Sequence, residues 1–296
     1  LEFIDEKNII FTNGIGEIFK YNFDKKIFTS IKSNLNQIYE SQDFKGKIIK
    51  HLFGRFGIKD LYWDRPDGKL YASMTVENKK NSACYAMGIF EADLSSKIKH
   101  NEIANLNFKE FFKMKACHKH FNGHATGGRI SSSKGKIIFT VGDLDLNLYG
   151  DRKIAQNKAN AVGKVIAINK DGSFEVLSSG HRNPQGLYVL DEDIFITEHG
   201  PFGGDEINLI KKGKHYGYPY YSYGFAYSKD DIFRKPHSNG YEKPIYYFSP
   251  SIATSEISFY KEDQFDKWKN KFIVAGLGSE SLWLLDYDMQ NKRFMS

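Results

Sequence analysis

Residues Ile9 to Asn22, IIFTNGIGEIFKYN, read as an apolar strand, an Asn-Gly turn and a second alternating strand, which is the pattern of a β-hairpin. The design returns in KDLYWDRPDGKLYASMTVE (Lys59 to Glu77), GRISSSKGKIIFTVGD (Gly128 to Asp143) and GLYVLDEDIFITEHG (Gly186 to Gly200), each with two strands about a polar turn. ISFYKEDQFDKWKNKFIVAGLG (Ile257 to Gly278) repeats it with a longer insertion, and further strands follow the pairs in CYAMGIFEADL, GKVIAINKDG, DEINLIKKG and SLWLLDYD. Such meanders of up to four strands, recurring at roughly 40 to 50 residues, are the signature of propeller blades. Five units can be counted. The expected fold is all-β, a β-propeller, because stacked sheets bury one another without long amphipathic helices. A β-sandwich is the alternative, but about 20 strands are too many for one ordinary sandwich. Asn107 to Lys115 (NFKEFFKMK) is a short helical candidate between units. Residues 1–296 read as a single propeller domain, incomplete at one or both ends or compact and whole.

Composition supports this reading and removes several function classes. Aromatic residues are 15% of the chain and there are 26 Gly, which favours half-buried strands and tight turns. Lys and Arg number 42 against 36 Asp and Glu, a net charge of +6. That excess is scattered as in Lys25-Lys26, Lys79-Lys80 and Lys211-Lys212, with no Arg-rich run of the kind that tracks a phosphate backbone, so nucleic acid is not an expected partner. No run of 18 apolar residues marks a membrane span, and LEFIDEKNII carries neither the basic nor the apolar region of an export signal. Cys84 and Cys117 are the only cysteines and lack metal-ligand spacing, which speaks against zinc. Whether they pair depends on the compartment and stays open.

Two segments place Gly, Pro and polar groups where plain strands would not need them. GHRNPQGL spans Gly180 to Leu187, and TEHGPFGGDEINLIKKGKHYGYP spans Thr197 to Pro219. Arg182 is a guanidinium able to hold a carboxylate bidentately, Asn183 adds a neutral polar group, and Pro184 and Gly186 fix the turn that presents them. Gly200-Pro201 can expose successive carbonyls, since proline has no N–H to give a ladder, and hard cations such as calcium take oxygen ligands. A strand-capping Arg-Asn turn, and a solvated carboxylate pair at Asp205 and Glu206, are the plainer readings of the same residues.

In combination, Arg182-Asn183-Pro184-Gln185-Gly186, Glu198-His199-Gly200-Pro201, Gly203-Gly204-Asp205-Glu206-Ile207-Asn208 and Tyr216-Gly217-Tyr218-Pro219 resemble the soluble aldose sugar dehydrogenases and glucose/sorbosone dehydrogenases. The resemblance implies a six-bladed propeller that uses pyrroloquinoline quinone (PQQ) and calcium. It places Arg182, Asn183 and His199 on the cofactor, Gly200 and Pro201 on a calcium ion, and Glu206 and Tyr216 on a further calcium. HATGGRISSSKGKIIFTVGD, His124 to Asp143, is similar to the stretch that carries the family's catalytic His and an Asp after it. This implies His124 as the base that takes the sugar hydroxyl proton and Asp143 as its orienting carboxylate. The family spacing is H-x-x-G-R, whereas His124 stands one residue farther from Arg129, and His120 competes for the role.

The chain also departs from the pattern. Where the family's last blade has R-x-R-D, only Arg293 follows Glu256, and Ser255-Glu256-Ile257 stands where a basic residue is usual. Two functions therefore remain in view: a sugar dehydrogenase that turns an aldose into its lactone and passes electrons to an acceptor, or a propeller of the same ancestry that binds a ligand or protein without catalysis. The resemblance implies a periplasmic or secreted location. Tyr218 to Tyr227 (YPYYSYGFAY) reads as a substrate rim or as packing between blades.

Overall fold

The computed structural model describes residues 1–42, 44, 56–77, 84–95, 105–118, 121, 123–146, 154–225 and 240–295. They form two compact units, residues 1–124 with 170–173, and residues 125–169 with 174–296.

The first unit holds two blades. β1 (Glu2–Asp5), β2 (Asn8–Thr12), β3 (Ile18–Asn22) and β4 (Ile27–Ser33) form an antiparallel meander. Its opening turn is longer than a two-residue hairpin: the Asn13 side chain accepts from the Ile15 and Glu17 amides, and Gly16 adopts φ +87°. A short helix, α1 (Leu35–Glu40), follows. The second blade runs β5 (Ile58–Asp64), β6 (Lys69–Glu77) and β7 (Tyr85–Asp93); β8 (Asn105–Leu106) then returns to pair parallel with β4, and β9 (Lys109–Lys113) closes the second blade against β7. The helical candidate Asn107 to Lys115 is thus corrected to a strand. Its ladder with β7 (Ile89 opposite Phe112, Phe90 opposite Glu110) outweighs local helix preference, and a bulge absorbs the extra residue. Cys84 and Cys117 are joined in a disulfide that ties the start of β7 to the segment after β9.

The second unit holds three blades. β10 (Gly127–Ser133), β11 (Lys136–Val141), β12 (Lys164–Ile168) and β13 (Phe174–Ser179) make the third. β14 (Pro184–Leu190), β15 (Asp193–Glu198) and β16 (Glu206–Leu209) make the fourth; β17 (Lys214–His215) pairs parallel with β13, and β18 (Tyr246–Tyr247) completes the fourth blade on β16. β19 (Thr254–Tyr260), β20 (Lys271–Gly276), β21 (Ser281–Asp288) and β22 (Arg293–Phe294) make the fifth. Five blades are therefore present among the described residues, the number counted in the sequence, and the arrangement is that of a β-propeller.

Within the second unit the interfaces between successive sheets are apolar cores. Ile138, Val165, Leu187 and Ile196 pack the third blade on the fourth, and Phe195, Ile207, Ile257, Phe272 and Val274 pack the fourth on the fifth. Burying such side chains stabilises by about 1.5–3 kcal/mol each, which offsets the ordering of the strands. The first strands of these blades lie side by side, β14 between β10 and β19. Gly186 permits that approach, since a Cβ there would meet Thr197 Oγ1 at 2.4 Å and the Ser255 carbonyl at 2.8 Å.

Candidate functional site

The site is assembled at one end of the fourth blade, where the register brings Pro184 opposite Glu198 and Glu198 opposite Glu206. Residues directly opposite in an antiparallel ladder share a face, as do residues two apart along a strand. Glu198, Glu206 and Asn208 consequently converge, and Asn208 Nδ2 donates to Glu206 Oε2 at 3.2 Å and to Glu198 Oε2 at 3.4 Å. Glu198 and Glu206 are buried, as is Asp205. This corrects the reading of Asp205 and Glu206 as a solvated carboxylate pair: the β15–β16 ladder carries Glu206 inward, and backbone amides hold Asp205 inside. Burial, reinforced by the neighbouring Glu198 charge, raises the Glu206 carboxyl well above its usual range. Asp205 is a structural tie, with Oδ1 accepting from the Gly200 amide at 3.1 Å and Oδ2 from the Ile252 and Thr254 amides at 3.2 Å each.

The turn from Gly180 to Asn183 brings Arg182 over this cluster. The Arg182 amide donates to Glu198 Oε1, its carbonyl accepts from the Asp143 amide at 2.8 Å, and Nη1 donates to the Gly200 carbonyl at 3.0 Å. Nη2 lies 3.9 Å from Asp145 Oδ1, and the Tyr218 hydroxyl is hydrogen-bonded to the same guanidinium. Arg182, Glu198, His199, Gly200, Pro201, Glu206, Tyr216 and Tyr218 help line one small cavity of about 10 Å³, room for a single water-sized guest. Gly200 is needed at this bend, since a Cβ would lie 1.9 Å from the Gly203 carbonyl.

The remaining expected residues take distinct places. Asn183 is buried, with Oδ1 accepting from the Gly127 amide at 3.2 Å and from Gln185 Nε2 at 3.1 Å. His199 donates from Nε2 to the Thr254 carbonyl at 2.5 Å, and burial lowers its pKa. The Tyr216 hydroxyl donates to the Leu209 carbonyl at 2.5 Å and accepts from the Lys211 amide, so its phenol serves the local turn. Asp143 is fully buried; Oδ1 accepts from the Asp145 amide at 3.0 Å, while Oδ2 has no hydrogen-bond partner. Burial pushes its carboxyl up to about 8, against the opposing pull of Arg182. His124 is half-buried and ends the first stretch of the first unit, whereas the residues above belong to the second. His120 lies outside the described residues.

Sequence reasoning passed over His181, Glu198 and Asn208. His181 Nδ1 lies 2.8 Å from Glu198 Oε2 and Nε2 2.8 Å from Ser178 Oγ. The two-residue spacing of Glu206 and Asn208 was the available signal for one shared face. Glu256, in place of a basic residue, is ion-paired with Arg129 of β10.

Glu198 and Glu206, with the Gly200 and Pro201 backbone, line the same small cavity, and oxygen donors of this kind are what calcium takes, although among the described residues no group of three or more His, Cys, Asp or Glu side chains is arranged to hold a metal. A carboxylate-bearing cofactor suits Arg182, whose planar fork matches carboxylate geometry. Fold and site together define a β-propeller protein with a carboxylate-rich polar cavity at the ends of its strands. The Glucose / Sorbosone dehydrogenase family profile matches residues 1–295, and the chain belongs to that family. It is 32% identical over 177 residues to the aldose sugar dehydrogenase YliI of Escherichia coli, a match covering 52% of this chain and 46% of that protein. The apo crystal structure of the soluble E. coli aldose sugar dehydrogenase superposes with a TM-score of 0.78 at 21% identity, covering 99% of this chain and 83% of the other. The PQQ-bound aldose sugar dehydrogenase of Streptomyces coelicolor gives 0.67 at 19% identity, covering 95% and 75%. The chain spans about half the length of the curated relatives it matches.

Proposed function

We propose that this chain acts as a quinoprotein sugar dehydrogenase that oxidises the anomeric hydroxyl of an aldose to the lactone, with PQQ and calcium as its cofactors. The observation that carries the reading is the Arg182 guanidinium, anchored on the Gly200 carbonyl at the edge of a cavity lined by Glu198 and Glu206. PQQ, when bound, supplies a two-electron oxidant for the sugar C1–H bond. Arg182 binds its carboxylates, with Asn183 and His199 as the further polar contacts. Gly200 and Pro201 would offer carbonyls to calcium, and Glu206 with Tyr216 would hold the further ion. His124 would take the proton of the sugar hydroxyl, with Asp143 orienting its imidazole. The Cys84–Cys117 disulfide supports a periplasmic or secreted location, because such bonds persist in oxidising compartments. Among the described residues no helix is long and apolar enough to cross a membrane. A sugar is the substrate, and an external acceptor takes the electrons.

One observation favours the second reading, a non-catalytic binding propeller: Glu256 replaces a basic residue and is neutralised by Arg129. Titrating the purified chain with PQQ and calcium, then adding glucose, separates the two. Change in the quinone absorbance on PQQ addition and bleaching on sugar addition support the dehydrogenase. Binding without bleaching supports the second reading, and an unaltered spectrum throughout refutes the cofactor assignment.

A further inference from the structure

Next to Arg182 lies a chain of buried polar groups, of which the proposed function involves only Glu198, in lining the cavity. Ser178 is 1% exposed, His181 0% and Glu198 4%. The Ser178 hydroxyl meets His181 Nε2 at 2.8 Å, and His181 Nδ1 meets Glu198 Oε2 at 2.8 Å. This is the connectivity of a Ser-His-carboxylate triad. Ser178 nevertheless has no surface through which a substrate carbonyl could approach, so nucleophilic catalysis does not follow from it. The direction of the bonds suggests another role.

A carboxylate only accepts, so Nδ1 of His181 donates to Glu198. Glu198 also accepts the Arg182 amide on Oε1 and the Asn208 amide on Oε2, so a buried charge is met by three donors. The other side of the Arg182 peptide is fixed as well, by the Asp143 amide on its carbonyl. The ring of His181 is held in turn by Tyr216, stacked at 4.9 Å with planes 29° apart, and its own amide donates to the Gly163 carbonyl at 3.2 Å. These contacts hold the His181 ring where its Nδ1 meets the Glu198 carboxylate, which in turn accepts the Arg182 amide.

We propose that His181 and Glu198 are positioning residues, which clamp the Arg182 backbone so that its guanidinium is delivered to the Gly200 carbonyl and the cavity edge. The functional half of this inference rests on the reading of Arg182 as a cofactor-binding arginine; the clamp itself does not.

The test uses the whole chain with His181→Ala, and His181→Asn, whose side-chain amide can donate near the position of Nδ1. Amide hydrogen exchange measured by NMR is read at Arg182, with Phe195 and Ile207 as core references. Exchange at Arg182 should quicken about tenfold or more in His181→Ala while the references keep their protection, and His181→Asn should restore most of it. PQQ affinity, from absorbance titration, should fall about tenfold in His181→Ala and recover in His181→Asn. A His181→Ala protein with parental Arg182 exchange overturns the clamp, as does uniform loss of protection across all three amides. Parental PQQ affinity despite faster Arg182 exchange overturns its functional half. If the parent takes no PQQ, the cofactor reading fails and the exchange data alone decide the clamp. Should His181→Ala not fold, Ser178→Ala loosens the imidazole more gently; Arg182 exchange quickened about two- to fivefold supports the clamp, and unchanged exchange overturns it.

Discussion

Arg182 Nη1 donates to the Gly200 carbonyl at 3.0 Å, so a residue expected on an anionic cofactor is bonded to one expected on a cation. The contact places a full positive charge at the edge of the Glu198 and Glu206 cavity, and the same charge pulls on the buried Asp143 carboxyl against the effect of its burial. A carbonyl has two lone pairs, so Gly200 can serve the guanidinium and still offer oxygen to an ion.

Removing that charge should be felt by the cofactor first. Arg182→Ala is expected to weaken PQQ binding by about 1.5–3 kcal/mol, the value of a hydrogen bond to a charged group. Absorbance or fluorescence titration measures it, and equal reconstitution of parent and variant would remove Arg182 from the cofactor site.

Calcium should stabilise the fold, because an ion that binds only the native state shifts unfolding by mass action. The melting temperature is expected to drop when EDTA replaces calcium, and Glu206→Gln should abolish the difference. A parent protein that melts alike in both buffers would leave Gly200, Pro201 and Glu206 with structural roles alone.

His124 as general base predicts a loss confined to turnover. His124→Gln should slow sugar oxidation by about 10²- to 10⁴-fold with PQQ affinity preserved, and His120→Gln should do little. The reverse result would transfer the role to His120.

Asp143 titrates in the folded protein at about 8 against an ordinary 3.8. Between those values the native state keeps a proton that the unfolded chain has released, so stability falls as pH rises through that window. Glu206 acts in the same sense. Asp143→Asn should therefore flatten the fall in melting temperature between about pH 5 and about pH 8. A variant with the same or a steeper fall would show that Asp143 is ionised throughout.

The disulfide closes a loop between cysteines 33 residues apart. Replacing both by serine is expected to cost about 3–4 kcal/mol on the loop-entropy model. Urea denaturation of the parent with and without reductant should reproduce the loss, and insensitivity to both changes would contradict the pairing.

The blades could be read from the sequence because their signals are local. Period-two alternation in Ile9 to Asn22 or Gly186 to Gly200 fixes which residues face a neighbouring sheet, and Arg182, His199, Gly200 and Glu206 sit close together in the chain. Other features depended on partners brought from afar. NFKEFFKMK, ambiguous alone, became β9 because β7 offered it a ladder. Cys84 met Cys117, and Glu256 met Arg129, because sheet pairing brought them together. His181 looked like one polar residue in a turn until register placed Glu198 beside it, 17 positions on. Strand and turn propensities are properties of a few adjacent residues; which buried charge receives which donor is decided by register and packing, and only the tertiary structure contains them.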